Sequence, residues 1–209
     1  MKRIEIIYGG ASNEKEISYL TAKSIYEYID TDLYNPGLTD LSKFDPDNFD
    51  NETIFFIAVH GEGGEDGKIQ TLLENKKRKF TGSSSESCIL TWDKVATKRT
   101  LIANDILTPQ FKSIKNNEHF DFNDSFFAEN EHYFVKPNFN GSSYGISKVS
   151  DKKFNEALKE AKNYSTEVII EKSFNGPEYT VALLKGKSLT PLQISVSYTH
   201  LTLPTTVSV

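Results

Sequence analysis

Lys136, Ser142 and Ser143 lie together in HYFVKPNFNGSSYGISKV (132–149), and these residue types on one loop can hold phosphate oxygens. The lysine brings a fixed positive charge, and each serine adds a hydroxyl and a backbone N–H that can point at an anion. Gly141 and Gly145 permit backbone angles closed to other residues. A cation beside successive N–H donors on a glycine-serine loop is a physical recipe for phosphate binding. The same residues would also make an ordinary solvated surface loop.

Other positions carry chemistry of different kinds. Glu14 follows GGASN (9–13) at the C-terminal end of a first apolar strand, where α/β sheets open the crevice that binds ligands. Its carboxylate can hold a substrate ammonium there, or it can serve only as a first-turn acid that favours the helix dipole. His60 ends the apolar run TIFFIAV (53–59) and opens HGEGGEDG (60–67). That glycine-rich loop matches neither Rossmann nor P-loop spacing, and Glu62, Glu65 and Asp66 would repel an anion. It reads as a polar substrate wall, with His60 either structural or close to the chemistry. Lys94 is a helix-surface charge, or a second phosphate contact if its helix packs across a nucleotide. The segment Lys172 to Phe174, leaving a strand, can present its backbone to an adenine edge.

These residues need elements to position them. Arg3 to Tyr8 reads as a strand, and Ile17, Leu20, Ile25 and Tyr28 recur at helical spacing over Glu14 to Ile29, with Asn13 and Glu16 resembling a capping box. TIFFIAV suits a strand buried on both faces. A short helix over Gly67 to Asn75 ends in a basic, solvated run, Lys76 to Lys79, before a strand at Phe80 to Gly82. A helix from Trp92 to Asn104 is stopped by Pro109. The stretch Asn116 to Glu131 reads as an unremarkable helix or loop. Then come strand, flap and strand over Tyr133 to Val149, a helix over Lys152 to Lys162 and a buried strand over Glu167 to Glu171. Glu178 to Leu184 begins a hairpin through Lys185 to Lys187. The fold class is therefore α/β, a parallel-sheet domain followed by an α+β subdomain.

Composition sets bounds. The chain has 209 residues, 37% hydrophobic and 25% charged, with a net charge of -5, so neither a nucleic-acid backbone nor an anionic membrane is favoured as principal partner. The single cysteine, Cys88, has no internal disulfide partner and reads as a small buried hydrophobe. The amino terminus reads as a first strand, not a signal peptide, and no run reaches the ~20 apolar residues of a bilayer span, so a cytoplasmic protein is expected.

Taken in order, GGASNEKEIS, HGEGGEDGKIQTLLE, TGSSSESCILTWDKVATK, FVKPNFNGSSYGISKV and VIIEKSFNGPEYTVALL resemble the D-alanine:D-alanine ligases, ATP-grasp enzymes of peptidoglycan precursor synthesis. The resemblance runs from about Arg3 to Ile194. It implies that Lys94 and Lys136 contact ATP phosphates and that the Ser142-Ser143 loop closes over them. It further implies that Glu171, Lys172, Phe174 and Glu178 line the adenine and ribose pocket. Glu14 would hold the ammonium of the first D-alanine, with His60 nearby and Ser142 in the same network. The implied cofactors are ATP and Mg2+ or Mn2+, the implied partners are D-alanine and a second copy of the chain, and neither nucleic acid nor membrane is implied.

By the same resemblance, residues 1–90 form a substrate-side, pre-ATP-grasp domain, 91–177 a central ATP-grasp subdomain and 178–195 the start of a third domain that is largely missing. That third domain supplies the family's metal ligands, so none is assigned here. VSYTHLTLPTTVSV (196–209) contains no Asp, Glu, Lys or Arg and resembles translated sequencing-adapter read-through. A ligase taking D-lactate or D-serine second, or a non-catalytic nucleotide-binding module, shares the same motifs.

Overall fold

The computed structural model describes residues 1–115, 118, 125–127, 132–141, 143–150, 153–184 and 186–194. They fall into two compact units, one Met1–Ser173 and the other beginning at Phe174.

The first unit opens with β1 (Lys2–Tyr8), α1 (Lys15–Tyr28) and β2 (Tyr34–Asp40), then β3 (Ile54–Ile57), α2 (Lys68–Asn75) and β4 (Lys79–Phe80). The strands pair in parallel in the order β2-β1-β3-β4. Successive strand side chains point to opposite faces, and β1 uses this to fill two cores at once. Ile6 packs with Ala22 of α1 and Ala58, whereas Ile7 joins Phe55, Val59, Ile69 and Leu73 against α2. Each of the larger side chains, Ile, Val, Leu or Phe, stabilises the fold by about 1.5–3 kcal/mol. In β3 only Phe55 is fully buried, so the expected strand is shorter and more open than TIFFIAV implies.

Two local expectations are corrected. The N-cap of α1 is Glu14, not Asn13, and it makes no side-chain cap hydrogen bond. A tight turn from Ser12, whose carbonyl accepts from Lys15 N at 3.2 Å, moves the helix start one residue on. The basic run after α2 is not wholly solvated. Arg78 is buried and donates to the carbonyls of Pro46, Phe49 and Asp50, tying down the loop that crosses before β3.

The helix expected from Trp92 to Asn104 is α4 (Lys94–Ala103), and a further helix, α3 (Ser85–Trp92), precedes it. Asp93 separates them: its extended backbone ends α3, and its carboxylate caps α4 by accepting from Ala96 N at 2.8 Å. Cys88, in α3, is half-buried, and burial pushes its thiol pKa up.

Next come β5 (Phe111–Lys115), β6 (Tyr133–Pro137), β7 (Ser147–Val149), α5 (Phe154–Lys162) and β8 (Glu167–Lys172). They form an antiparallel sheet in the order β5-β8-β6-β7. Tyr133, Val135, Val168 and Ile170 turn one face onto Phe154, Ala157, Leu158 and Ala161 of α5. Residues at the alternate positions, Phe134, Lys136, Ile169 and Glu171, belong to the other face. Phe126 and Phe127 join the aromatic cluster around Tyr133 and Phe154, so these two phenylalanines carry part of the core.

In the second unit, β9 (Glu178–Thr180) pairs antiparallel with β12 (Leu192–Ile194), and β10 (Leu183–Leu184) with β11 (Lys187–Ser188). This is the expected hairpin, with its first arm interrupted at Val181 and Ala182. The segment 196–209 lies outside the described residues. No helix among those described is long and apolar enough to cross a membrane.

Candidate functional site

The loop after β6, Asn138 to Gly141, carries the site, because one of its ends meets cations and the other meets carboxylates. Asn138 anchors it. This residue is fully buried, and its Nδ2 donates to Asp93 Oδ1 (3.0 Å) and Glu167 Oε2 (3.2 Å). Its Oδ1 accepts from Val95 N at 2.9 Å. Asn138 thereby fixes the start of α4 to the ends of β6 and β8.

Lys94, at the first position of α4, reaches back to the same loop and donates through Nζ to Asn140 O (2.7 Å) and Asn138 O (3.2 Å). Burial, and next the charge of Lys136, pull its pKa below the ordinary lysine value, while Asp93 and Glu171 oppose the shift. A half-buried lysine whose charge is disfavoured by a neighbouring lysine sits in a field that an anion relieves. Lys136 donates to Glu171 Oε1, and Glu171 Oε2 lies 2.9 Å from Lys98 Nζ. Burial pushes the Glu171 pKa up, but the hydrogen bonds and charges of Lys136 and Lys98 outweigh it and hold the carboxyl below its ordinary value.

At the other end of the loop lies Gly141. A Cβ there would sit 3.4 Å from both Glu14 Oε2 and Glu65 Oε2 and 3.8 Å from Trp92. Glu14 also borders Gly61, where a Cβ would be only 3.0 Å from the same oxygen. His60 Nδ1 is 3.8 Å from Glu65 Oε1, its Nε2 is 3.0 Å from Thr21 Oγ1, and its carbonyl accepts from Ser12 Oγ at 2.9 Å. Two carboxylates and an imidazole beneath a glycine make a wall suited to an ammonium, as the acidic loop after β3 implies. Next to it, Glu62, Asp66, Lys68, Trp92, Phe139 and Tyr164 line a cleft of about 330 Å³.

The remaining expected residues fall in several places. Ser143 takes a left-handed backbone (φ 61°) and is followed by Gly145 (φ 71°), where the turn does require glycine. A Cβ on Gly145 would lie 2.6 Å from the Tyr164 ring. Ser142 lies outside the described residues. Lys172 follows Glu171 and points to the opposite face of the sheet, its ammonium 5.5 Å from the Phe126 ring centre and its N–H donating to Gln110 O. Phe174 and Glu178 belong to the second unit and are exposed.

Sequence reasoning passed over Lys98 and Asn138. The i, i+4 spacing of Lys94 and Lys98, which puts both on one helix face, was the available signal for the lysine. For Asn138 there was only its place directly after Lys136-Pro137. No group of three or more His, Cys, Asp or Glu side chains is gathered to hold a metal ion among the described residues. Asp93 and Glu171 are already engaged, the first by Ala96 and Asn138 and the second by two lysines.

The family model described as D-ala D-ala ligase C-terminus matches residues 102–200. The D-alanine–D-alanine ligase of Marinomonas sp. (strain MWYL1) is 34% identical over 210 residues, covering 94% of this chain and 64% of that protein. The one from Methylacidiphilum infernorum (isolate V4) is 34% identical over 196 residues, covering 92% and 62%. Among solved structures, the D-alanine–D-alanine ligase from Bacillus anthracis superposes with a TM-score of 0.85 at 30% identity, over 92% of this chain and 64% of that one. Its complex with ATP superposes at 0.84 and 28% identity, over 95% and 67%.

A likeness running over more than nine-tenths of the chain takes in both sheets of the first unit, and it places the fold in the ATP-grasp class of ligases. Within that class the chain is similar, over more than nine-tenths of its length, to D-alanine–D-alanine ligases. It spans about 64% of the length of the first of these curated relatives.

Proposed function

We propose that the full-length form of this protein joins two D-alanines into D-alanyl-D-alanine at the expense of ATP, for peptidoglycan precursor synthesis in the cytoplasm, as a homodimer. The observation that carries this reading is the division of charge along one loop, with Lys94 and Lys136 at one end of Asn138 to Gly141 and Glu14 and Glu65 at the other. An amino acid whose ammonium meets the carboxylates and whose own carboxylate points toward the lysines would lie beside a triphosphate bound by those lysines.

The chemistry asks for positioning and charge neutralisation more than for a protein nucleophile. A carboxylate oxygen of the first D-alanine attacks the γ-phosphorus, and ADP leaves. The amine of the second D-alanine then attacks the acyl carbonyl carbon, loses a proton and expels phosphate. Lys94 and Lys136 neutralise the phosphate oxygens, and Ser142 and Ser143 close the flap over them and exclude water from the acyl phosphate. Glu171 and the backbone of Lys172 belong to the adenine and ribose side. Glu14 holds the first ammonium, and His60, fixed by Thr21, lies next to it. Magnesium or manganese would neutralise phosphate charge when bound; no group of three or more His, Cys, Asp or Glu side chains among the described residues is gathered to hold it.

The test has two parts. Binding of ATP to the 209-residue chain is measured by calorimetry beside a Lys94→Ala/Lys136→Ala variant; binding that is at least tenfold weaker in the variant is expected, and equal binding overturns the phosphate assignment. Dipeptide formation is then assayed with ATP, magnesium and D-alanine. The 209-residue chain is expected to make none, and the full-length form is expected to make it.

A further inference from the structure

Glu171 sits on the central strand of its sheet with a phenylalanine directly across on either side, Phe111 on β5 and Phe134 on β6. Over each ring stands an ammonium, Lys98 at 5.2 Å from the Phe111 centre and Lys136 at 5.1 Å from that of Phe134. The carboxylate thus divides its oxygens between two lysines. The lysines differ in how they are held. The Lys98 side chain is 9% exposed, and its Nζ also donates to Thr108 Oγ1 (2.6 Å) and Pro109 O (2.9 Å), so its three N–H bonds are all engaged. The Lys136 side chain is 23% exposed, and among the described residues its hydrogen bond is to Glu171 alone.

We propose that Lys98 is a positioning residue of the nucleotide side, the permanent counter-ion of Glu171 that leaves Lys136 free to turn toward a phosphate. This rests on the reading of Lys136 as a phosphate contact. With one lysine only, Glu171 would become an unpaired buried carboxylate beside a polyanion whenever that lysine turned away, and it would take up a proton or leave its place. With Lys98 fixed behind it, the carboxylate stays charged and aimed. Burial already works against its ionisation and the two lysines overcome that, which fits the arrangement. The charged groups on the face of Glu171 are Lys98 and Lys94 from α4, Lys136 from β6 and, one strand further out, Lys148 from β7, whose ammonium stands 5.8 Å from the Phe134 ring centre. Lys112, next to Phe111 on β5, belongs to the other face of the sheet.

The test titrates the Glu171 carboxyl by carbon NMR in the 209-residue chain, with Glu171→Gln used to assign the resonance. Lys136→Met mimics the lysine turned away, and in it the Glu171 midpoint is expected to stay at or below the ordinary glutamate value. In Lys98→Met/Lys136→Met it is expected to rise at least about one unit above that value. Lys98→Arg/Lys136→Met is expected to keep it low. A midpoint already raised in Lys136→Met alone overturns the proposal, and this variant is informative even where the double variant does not fold. A double variant that folds and leaves the midpoint low also overturns it. No nucleotide is added, so the outcome is independent of ATP binding. A wild-type chain that fails to bind ATP counts against the proposed function, whereas a misplaced Glu171 midpoint counts against Lys98 alone.

Discussion

Replacing Asn138 by alanine should be among the most damaging single changes in the first unit. The side chain makes three hydrogen bonds, to Asp93, Glu167 and Val95 N, from a position with no exposed surface. Bonds to charged partners contribute about 1.5–3 kcal/mol each and neutral ones about 0.5–1.5, while a buried N–H left unpaired costs about 1–3. Val95 is 3% exposed, so water does not readily replace the lost acceptor. Asp93 and Glu167 are less enclosed and recover part of their solvation. The net loss should be about 3–5 kcal/mol, a large share of the ~5–15 kcal/mol that a domain has. Urea unfolding followed by the fluorescence of Trp92, the only tryptophan, reports on this region directly, since Trp92 adjoins Asp93. The midpoint should fall with little change in slope. Asn138→Asp should be worse at neutral pH, because it places a third carboxylate between Asp93 and Glu167, and should improve as the pH falls through the carboxylate range. A loss below about 1 kcal/mol in the alanine variant would refute the view of Asn138 as the rivet between α4 and the sheet.

Three further outcomes are expected. Gly64→Ala would put a Cβ 2.2 Å from Val59 O, a backbone atom that cannot swing aside, and should destabilise by about 1–3 kcal/mol in thermal unfolding while shifting the His60 ring signals by NMR. Ser18 accepts from Gly9 N and donates to Ala58 O, both at 2.8 Å and fully buried, so Ser18→Ala should lower stability by about 1–3 kcal/mol. The folded-state pKa of Glu171 is lowered, so its contribution is present above the ordinary glutamate value and is lost as the pH falls through the folded one. The acid limb of the wild-type stability curve should therefore be steeper than that of Glu171→Gln, and equal limbs would contradict the ion-pair account.

Much of this architecture could be read from the chain because its strands and helices differ in period. The buried run at Ile6 and Ile7, the β8 run and the amphipathic α5 each bury the faces their patterns imply. What could not be read depends on partners distant in sequence. FKSIK (111–115) is too short and charged to announce a strand, and it is held as one by pairing with β8. Arg78 resembled its neighbouring lysines, yet three carbonyls more than 25 residues away bury it. Asp93 looked like one more polar helix residue, and only its capping bond and its link to Asn138 reveal a boundary. The residue types of the site were visible on the same terms. The glutamate and lysines at the crevice could be named from motifs, but the sharing of Glu171 between two lysines arises from sheet register.

Lys94 bears on selectivity. Its ammonium already holds two backbone carbonyls of the loop that it helps to shape. If Lys94 is the phosphate contact proposed above, an incoming anion would enter by exchange: it would have to match bonds that exist, and in taking them it would loosen the segment that leads to Gly141. A weak monovalent anion gains little from such an exchange, whereas a multiply charged one can engage Lys94 and Lys136 together. On that reading the same competition would return the ammonium to its carbonyls when the anion leaves, so the protein's own backbone would assist release.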